Sequence, residues 1–169
     1  MDELERLVEA YRTQPNAPVS RKLDVLLDFE QLHDLRAVPF LLEVVQDQQE
    51  PVEVRMRIIR LLRLVRCDSD ERAAIGRELS KVLVNRMSPD LRLAAALTLA
   101  EFADVPGVVS ALGTVALDNS EALDLRYSAF TSLERVGPTP ECAVLLRELA
   151  EDETFGLSAH SLLARWHLR

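Results

Sequence analysis

Apolar residues recur every three to four positions along this chain, and the stripes they make repeat. Val54, Ile58, Ile59, Leu62 and Val65 share one helical face. Leu91, Ala95, Ala96, Leu99 and Phe102 repeat that face, and Leu125, Ala129, Phe130, Leu133 and Val136 repeat it again. Weaker copies stand at the ends: Val25, Leu26, Phe29 and Leu32 near the start, and Phe155, Ala159, His160, Leu163 and Trp166 near the finish. The pattern predicts ten helices in five pairs, over about 2–14 and 19–32, 35–48 and 51–66, 69–87 and 89–103, 105–118 and 121–136, and 140–151 and 155–168.

Junction chemistry supports these boundaries. Ser88-Pro89 and Thr139-Pro140 put an N-cap oxygen before a proline at the first helical position, where a missing N–H costs nothing. Asp68-x-x-Glu71 has the spacing of a capping box. Asp34 and Asp104 are placed to cap the helices after them.

A polar phrase rides on the apolar repeat. Asp47 leads to Val54-Arg55, and Asp118 leads to Leu125-Arg126, with the same 71-residue offset between the two Asp and the two Arg residues. Leu91-Arg92 is a copy between them, and Lys22 holds the Arg position of the first unit. Repeats of this period predict an all-α chain, a right-handed α-solenoid or α-α superhelix, because a single helix pair cannot bury its apolar face and must stack on its neighbours. The units run over about 1–33, 34–67, 68–103, 104–137 and 138–169 of a single domain.

The stretch Asp34-Leu-Arg-Ala-Val-Pro39-Phe-Leu-Leu-Glu-Val-Val-Gln-Asp47, followed by Val54-Arg55, resembles the HEAT repeat, most closely the subtype named after phycobilisome lyases. The resemblance spans nearly the whole chain as about five HEAT-like helix pairs. It implies that Asp47, Arg55, Arg92, Asp118 and Arg126 form a polar ladder bridging adjacent units at the turns. Unit three departs with Asn85 at the Asp position, and unit five with Gly156 at the Arg position.

Composition narrows the class of function. The net charge of −8 opposes nucleic-acid binding, which needs a basic footprint to displace counterions. Five glycines and 5% aromatics argue against an all-β fold. No membrane-length apolar run or secretory leader is visible, so a cytoplasmic location is the expectation, with no membrane partner.

Reactive chemistry is thin. Cys67 and Cys142 lie far apart without a Cys-x-x-Cys and read as structural thiols. His160 and His167 are seven residues apart on one helix, about 10 Å along its axis, too far for one metal ion. His160 falls in the apolar stripe and reads as a packed histidine. Glu148, Glu151, Asp152 and Glu153 read as a solvated acidic rim. With no Gly-rich phosphate loop or Gly-x-Ser-x-Gly, the expectation is no catalytic residue, no metal and no cofactor.

One anomaly points to binding. Arg57, Arg60 and Arg63 recur every three residues, away from the Ile58/Ile59/Leu62 stripe. Like charges at this spacing repel by a few tenths of a kcal/mol per pair unless compensated. The equivalent residues are Asp24, Leu27 and Glu30 in unit one, Ala94, Leu97 and Ala100 in unit three, and Ser128, Thr131 and Glu134 in unit four. The expected function is a protein–protein interaction scaffold whose concave face binds a protein or an acidic peptide through Arg57, Arg60, Arg63, Leu97 and Thr131. The alternative the resemblance implies is a lyase or chaperone subunit of the bilin type, and further off a HEAT-like nucleic-acid protein. The last helix, with Leu157, Leu162, Leu163, Trp166 and Leu168, would serve self-association through whatever it leaves exposed.

Overall fold

The computed structural model describes residues 1–86 and 88–168. Among them are ten α-helices and no strand: α1 Glu3–Arg12, α2 Val19–Leu32, α3 Val38–Gln46, α4 Val52–Leu64, α5 Ser69–Val84, α6 Pro89–Leu99, α7 Val108–Leu117, α8 Leu123–Val136, α9 Pro140–Leu149 and α10 Gly156–Arg165. Short 3-10 turns at Leu35–Ala37 and Ala100–Phe102 precede α3 and follow α6. Met87, at the end of the predicted 69–87 helix, and Arg169 lie outside the described residues.

The packing follows chain order. Each odd-numbered helix lies against the even-numbered helix after it. In addition α2, α4, α6 and α8 touch in succession, and so do α3, α5, α7 and α9. The result is two rows of helices, an all-α arrangement compatible with a helical repeat.

The stripes explain the rows. Val54, Ile58, Ile59 and Leu62 are fully buried, as are Ala95, Ala96 and Leu99. Leu125, Ala129, Phe130 and Leu133 complete the third copy and are buried too. They belong to one apolar cluster running from Leu4 to Leu163. Burying one such Leu or Ile contributes about 2 kcal/mol. In the odd row, close approach needs absent side chains: a Cβ on Gly113 of α7 would run into Leu145 of α9.

The caps form largely at the predicted places. Ser88 accepts from Leu91 N–H at 3.4 Å and Thr139 from Cys142 N–H at 3.2 Å, each with a proline at the helix start. Asp68 accepts from the amides of Asp70 and Glu71, but the Glu71 side chain does not return the bond, and its Oε2 is buried without a partner. The reciprocal capping box is instead Asp2/Glu5, with both bonds at 2.9 Å.

Asp104 does not cap the seventh helix. Arg72 holds it in an ion pair, and Gly107, at φ 89°, opens α7 three residues later than the pattern predicts. The intervening Val105-Pro106-Gly107 turn uses the left-handed region that glycine enters freely.

Candidate partner-binding face

Helices α2, α4, α6 and α8 each begin with a buried or half-buried cation that fastens neighbouring segments. Arg55, Arg92 and Arg126 each donate Nε–H back to a carbonyl at the end of the preceding helix: Val45 at 2.7 Å, Leu83 at 2.7 Å and Ala116 at 2.9 Å. These carbonyls are among the last of their helices, which have no intrahelical donor. The far side of the cation reaches forward. Arg92 makes a two-pronged pair with Glu121, at 2.8 and 2.6 Å, and Arg126 pairs with Asp152 at 2.6 Å. Lys22, 4% exposed, meets Glu50 at 2.7 Å, where the Tyr11 hydroxyl also donates at 3.0 Å.

The acids of this row differ from those the repeat phrase suggests. Asp47 and Asp118 do not ion-pair with Arg55 and Arg126. Each folds its own turn, accepting from the amide of Gln49 at 2.9 Å or of Ser120 at 2.8 Å, and Asp118 pairs outward with Arg86 at 3.0 Å. The carboxylates that matter stand just before the next even helix. Glu121 is held below the ordinary glutamate range chiefly by its hydrogen bond from Arg92. Burial pushes the Asp152 carboxyl up, but bonds from the Phe155 and Thr154 amides and from Arg126 outweigh it, and the net shift is downward. Asp152 is thus drawn in from what reads as a solvated acidic rim. Its signal was an acid in the connection preceding an apolar stripe, the place that Glu50 and Glu121 also hold.

Gly156 takes the fifth position of this row for a steric reason. A Cβ on Gly156 would sit 2.9 Å from the Ala150 carbonyl oxygen. A backbone oxygen occupies the place where the other units insert a cation.

The outer face of the even helices carries the other predicted residues. Arg57 is half-buried and pairs with Glu30 of α2 at 2.5 Å. Arg63 pairs with Glu101 at 3.5 Å, and Arg135 of α8 shares the same carboxylate. Further along, Arg165 of α10 meets Glu134 of α8 at 3.0 Å. The like charges are thereby separated and compensated by acids from neighbouring segments. Arg60, between them, is exposed and has no ion pair among the described residues. At the equivalent positions on α2 and α6 stand Leu27, 45% exposed, and Leu97, 42% exposed. Arg135 also donates to the Leu97 carbonyl at 3.1 Å.

Thr131 is exposed and lines a groove of about 440 Å³ between α8 and α10, with Tyr127, Leu157, Ser161 and Arg165. Leu157 is 89% exposed and Tyr127 49%, whereas Leu162 and Leu163 are buried. Tyr127 escaped the sequence reading because it follows Arg126 directly, one position off the spacing on which the face was traced.

His160 is a correction. It is exposed and lines a surface cavity with His167. The equivalent Ile59, Ala96 and Phe130 are buried because a further helix pair covers them. Among the described residues no helix pair covers this face of α10.

Both thiols are pushed up first by burial, Cys142 being fully buried, so neither is moved toward the thiolate. Among the described residues no group of three potential metal-ligating side chains comes together. No described helix is long and apolar enough to cross a membrane. No protein-family model matches the chain, and no curated protein matches it.

Proposed function

We propose that the chain is a right-handed α-solenoid of HEAT-like helix pairs that works as a non-catalytic interaction module. Its even-helix face receives an acidic segment of a partner protein. Arg60 carries the reading. Among the described residues it is a cation without an ion-paired acid, set between equivalent positions bearing exposed leucines, on a face where Arg57 and Arg63 are already matched. An incoming carboxylate would find its counter-charge at Arg60 and apolar contact at Leu27 and Leu97. Arg57 and Arg63, steadied by Glu30 and Glu101, would add a positive field without giving up their own pairs. Leu97 and Thr131 extend the contact toward α8. Arrays of stacked helix pairs offer extended surfaces of this kind for binding.

The test is affinity purification from the native source with the wild-type chain and with Arg60→Glu/Leu97→Asp, both first shown to unfold at the same temperature. A protein that co-purifies with the wild type should be lost from the variant, and its binding should weaken with added salt. Equal recovery on both chains would sink the assignment of this face.

A further inference from the structure

The row of even helices opens between α8 and α10. Its earlier members touch in succession, but α10 packs chiefly on α9, and the groove of about 440 Å³ separates it from α8. Phe130 and Leu162, both buried, line the groove. Tyr127 is held on the α8 side, its ring edge-on to Phe155 at 4.9 Å. Leu157 stands on the α10 side and is the most exposed large apolar side chain among the described residues. Leu123 lies one turn before Tyr127 on the same face of α8 and is more than half exposed. Together these side chains make an apolar patch in which a protruding leucine adjoins a groove.

The charges of the groove cancel. Glu134 and Arg165 pair with each other at 3.0 Å, and the other polar residues of the lining are Thr131, Ser158 and Ser161, besides the Tyr127 hydroxyl. The chain as a whole carries a net charge of −8, so two copies repel unless they meet where their charges are balanced. Tyrosine and leucine with little net charge around them is the composition of an interface core. The shape points the same way. A cavity of about 150 Å³ accepts a benzene molecule, so this groove has room for a leucine side chain. Knob and groove lie side by side on one surface, which makes the surface complementary to itself. Under a two-fold axis such a contact closes at two copies.

We propose that this patch is the interface of a homodimer, in which Leu157 of each copy seats in the groove between α8 and α10 of the other. Tyr127 and Leu162 supply the apolar contact, and the Glu134–Arg165 pair brings no net charge to it. The inference goes beyond the acidic-segment reading and does not rest on Arg60.

Sedimentation equilibrium of the full chain tests this. The weight-average mass should climb from one chain toward two between about 1 µM and about 1 mM, the range of a small interface. Added salt screens the repulsion between two acidic copies and should tighten the dimer, the opposite of its effect on an acidic segment at Arg60. Leu157→Asp removes the knob from both copies and should weaken dimerisation by about tenfold or more. Leu157 is almost wholly exposed, and an acid in the first turn of α10 suits the helix dipole, so the variant should keep its fold. Ser161→Glu, at a second exposed position of the groove, should weaken the dimer in the same direction. Arg60→Glu should leave the dimer intact, which separates this contact from the reading of the Arg60 face. A wild-type chain still monomeric at about 1 mM, a dimer that salt loosens, or one that survives both Leu157→Asp and Ser161→Glu would overturn the interface. So would a monomeric chain that loses a co-purifying protein on Leu157→Asp, since the groove would then belong to that protein.

Discussion

α4 carries four arginines within nine residues, and they divide into two kinds. Arg55 belongs with Arg92 and Arg126, whose side chains turn inward and fasten helix ends. Arg57, Arg60 and Arg63 belong to the outer face and reach sideways to acids on neighbouring segments or, for Arg60, to none among the described residues. The residue type is the same, but the desolvation differs. An arginine 5% exposed, such as Arg126, has exchanged water for a carbonyl and a carboxylate, and losing either strands the other. An arginine on the outer face keeps water as a competing partner, so its pairs are weak and replaceable. Inward arginines hold the fold, and outward ones contribute little to it.

The sharpest way to break this contrast is at α8. Arg126→Ala leaves Asp152 buried without its cation and the Ala116 carbonyl without its donor. The expected loss is about 3–5 kcal/mol, a fall of roughly 10 °C in the unfolding midpoint by calorimetry. A loss below 1 kcal/mol would place Arg126 with the outer residues and erase the distinction.

Acid titration gives a smaller effect of defined sign. Glu121 and Asp152 have folded-state pKa values below their unfolded ones. Each contributes stability that is complete above the unfolded pKa and disappears as pH falls through the folded one. The chain should lose stability in the acid range, and Glu121→Gln should lose less of it between about pH 7 and about pH 3. Denaturant midpoints at the two pH values measure this; identical losses in wild type and variant would remove Glu121 from the account.

The smallest effect belongs to the outer face. Arg57 and Glu30 are each more than a third exposed, so Arg57→Ala should cost about 0–1 kcal/mol. Arg60→Ala should stay within about 0.5 kcal/mol. A chemical-denaturation series on both variants completes the comparison, and a large penalty at Arg60 would mean that it is structural after all.

The apolar spacing was enough to foresee the helices, because burial on one face is a local, periodic demand on the sequence. The three inner stripes are buried to a residue in their central positions, and the N-caps at Ser88 and Thr139 follow from chemistry within one turn. The misses are non-local. His160 occupies a stripe position yet is exposed, since its burial depends on a neighbour that the helix itself does not encode. The acids Glu50, Glu121 and Asp152 serve cations 26 to 29 residues upstream, whereas the nearer Asp47 and Asp118 close their own turns, Asp118 also pairing outward with Arg86. On the outer face, the periodic arginines stood out from sequence. That Arg57 and Arg63 are answered by Glu30 and Glu101 required the packing.

A guanidinium is flat and stiff, and Arg92 uses both of its edges: one on the Leu83 carbonyl behind it, the other on Glu121 ahead. It works as a spacer bar of fixed length between consecutive segments. Apolar contacts tolerate sliding, but a bar hydrogen-bonded at both ends does not. The pitch at which α6 and α8 present Leu97 and Thr131 is therefore set from beneath, by a side chain that never reaches the surface they form.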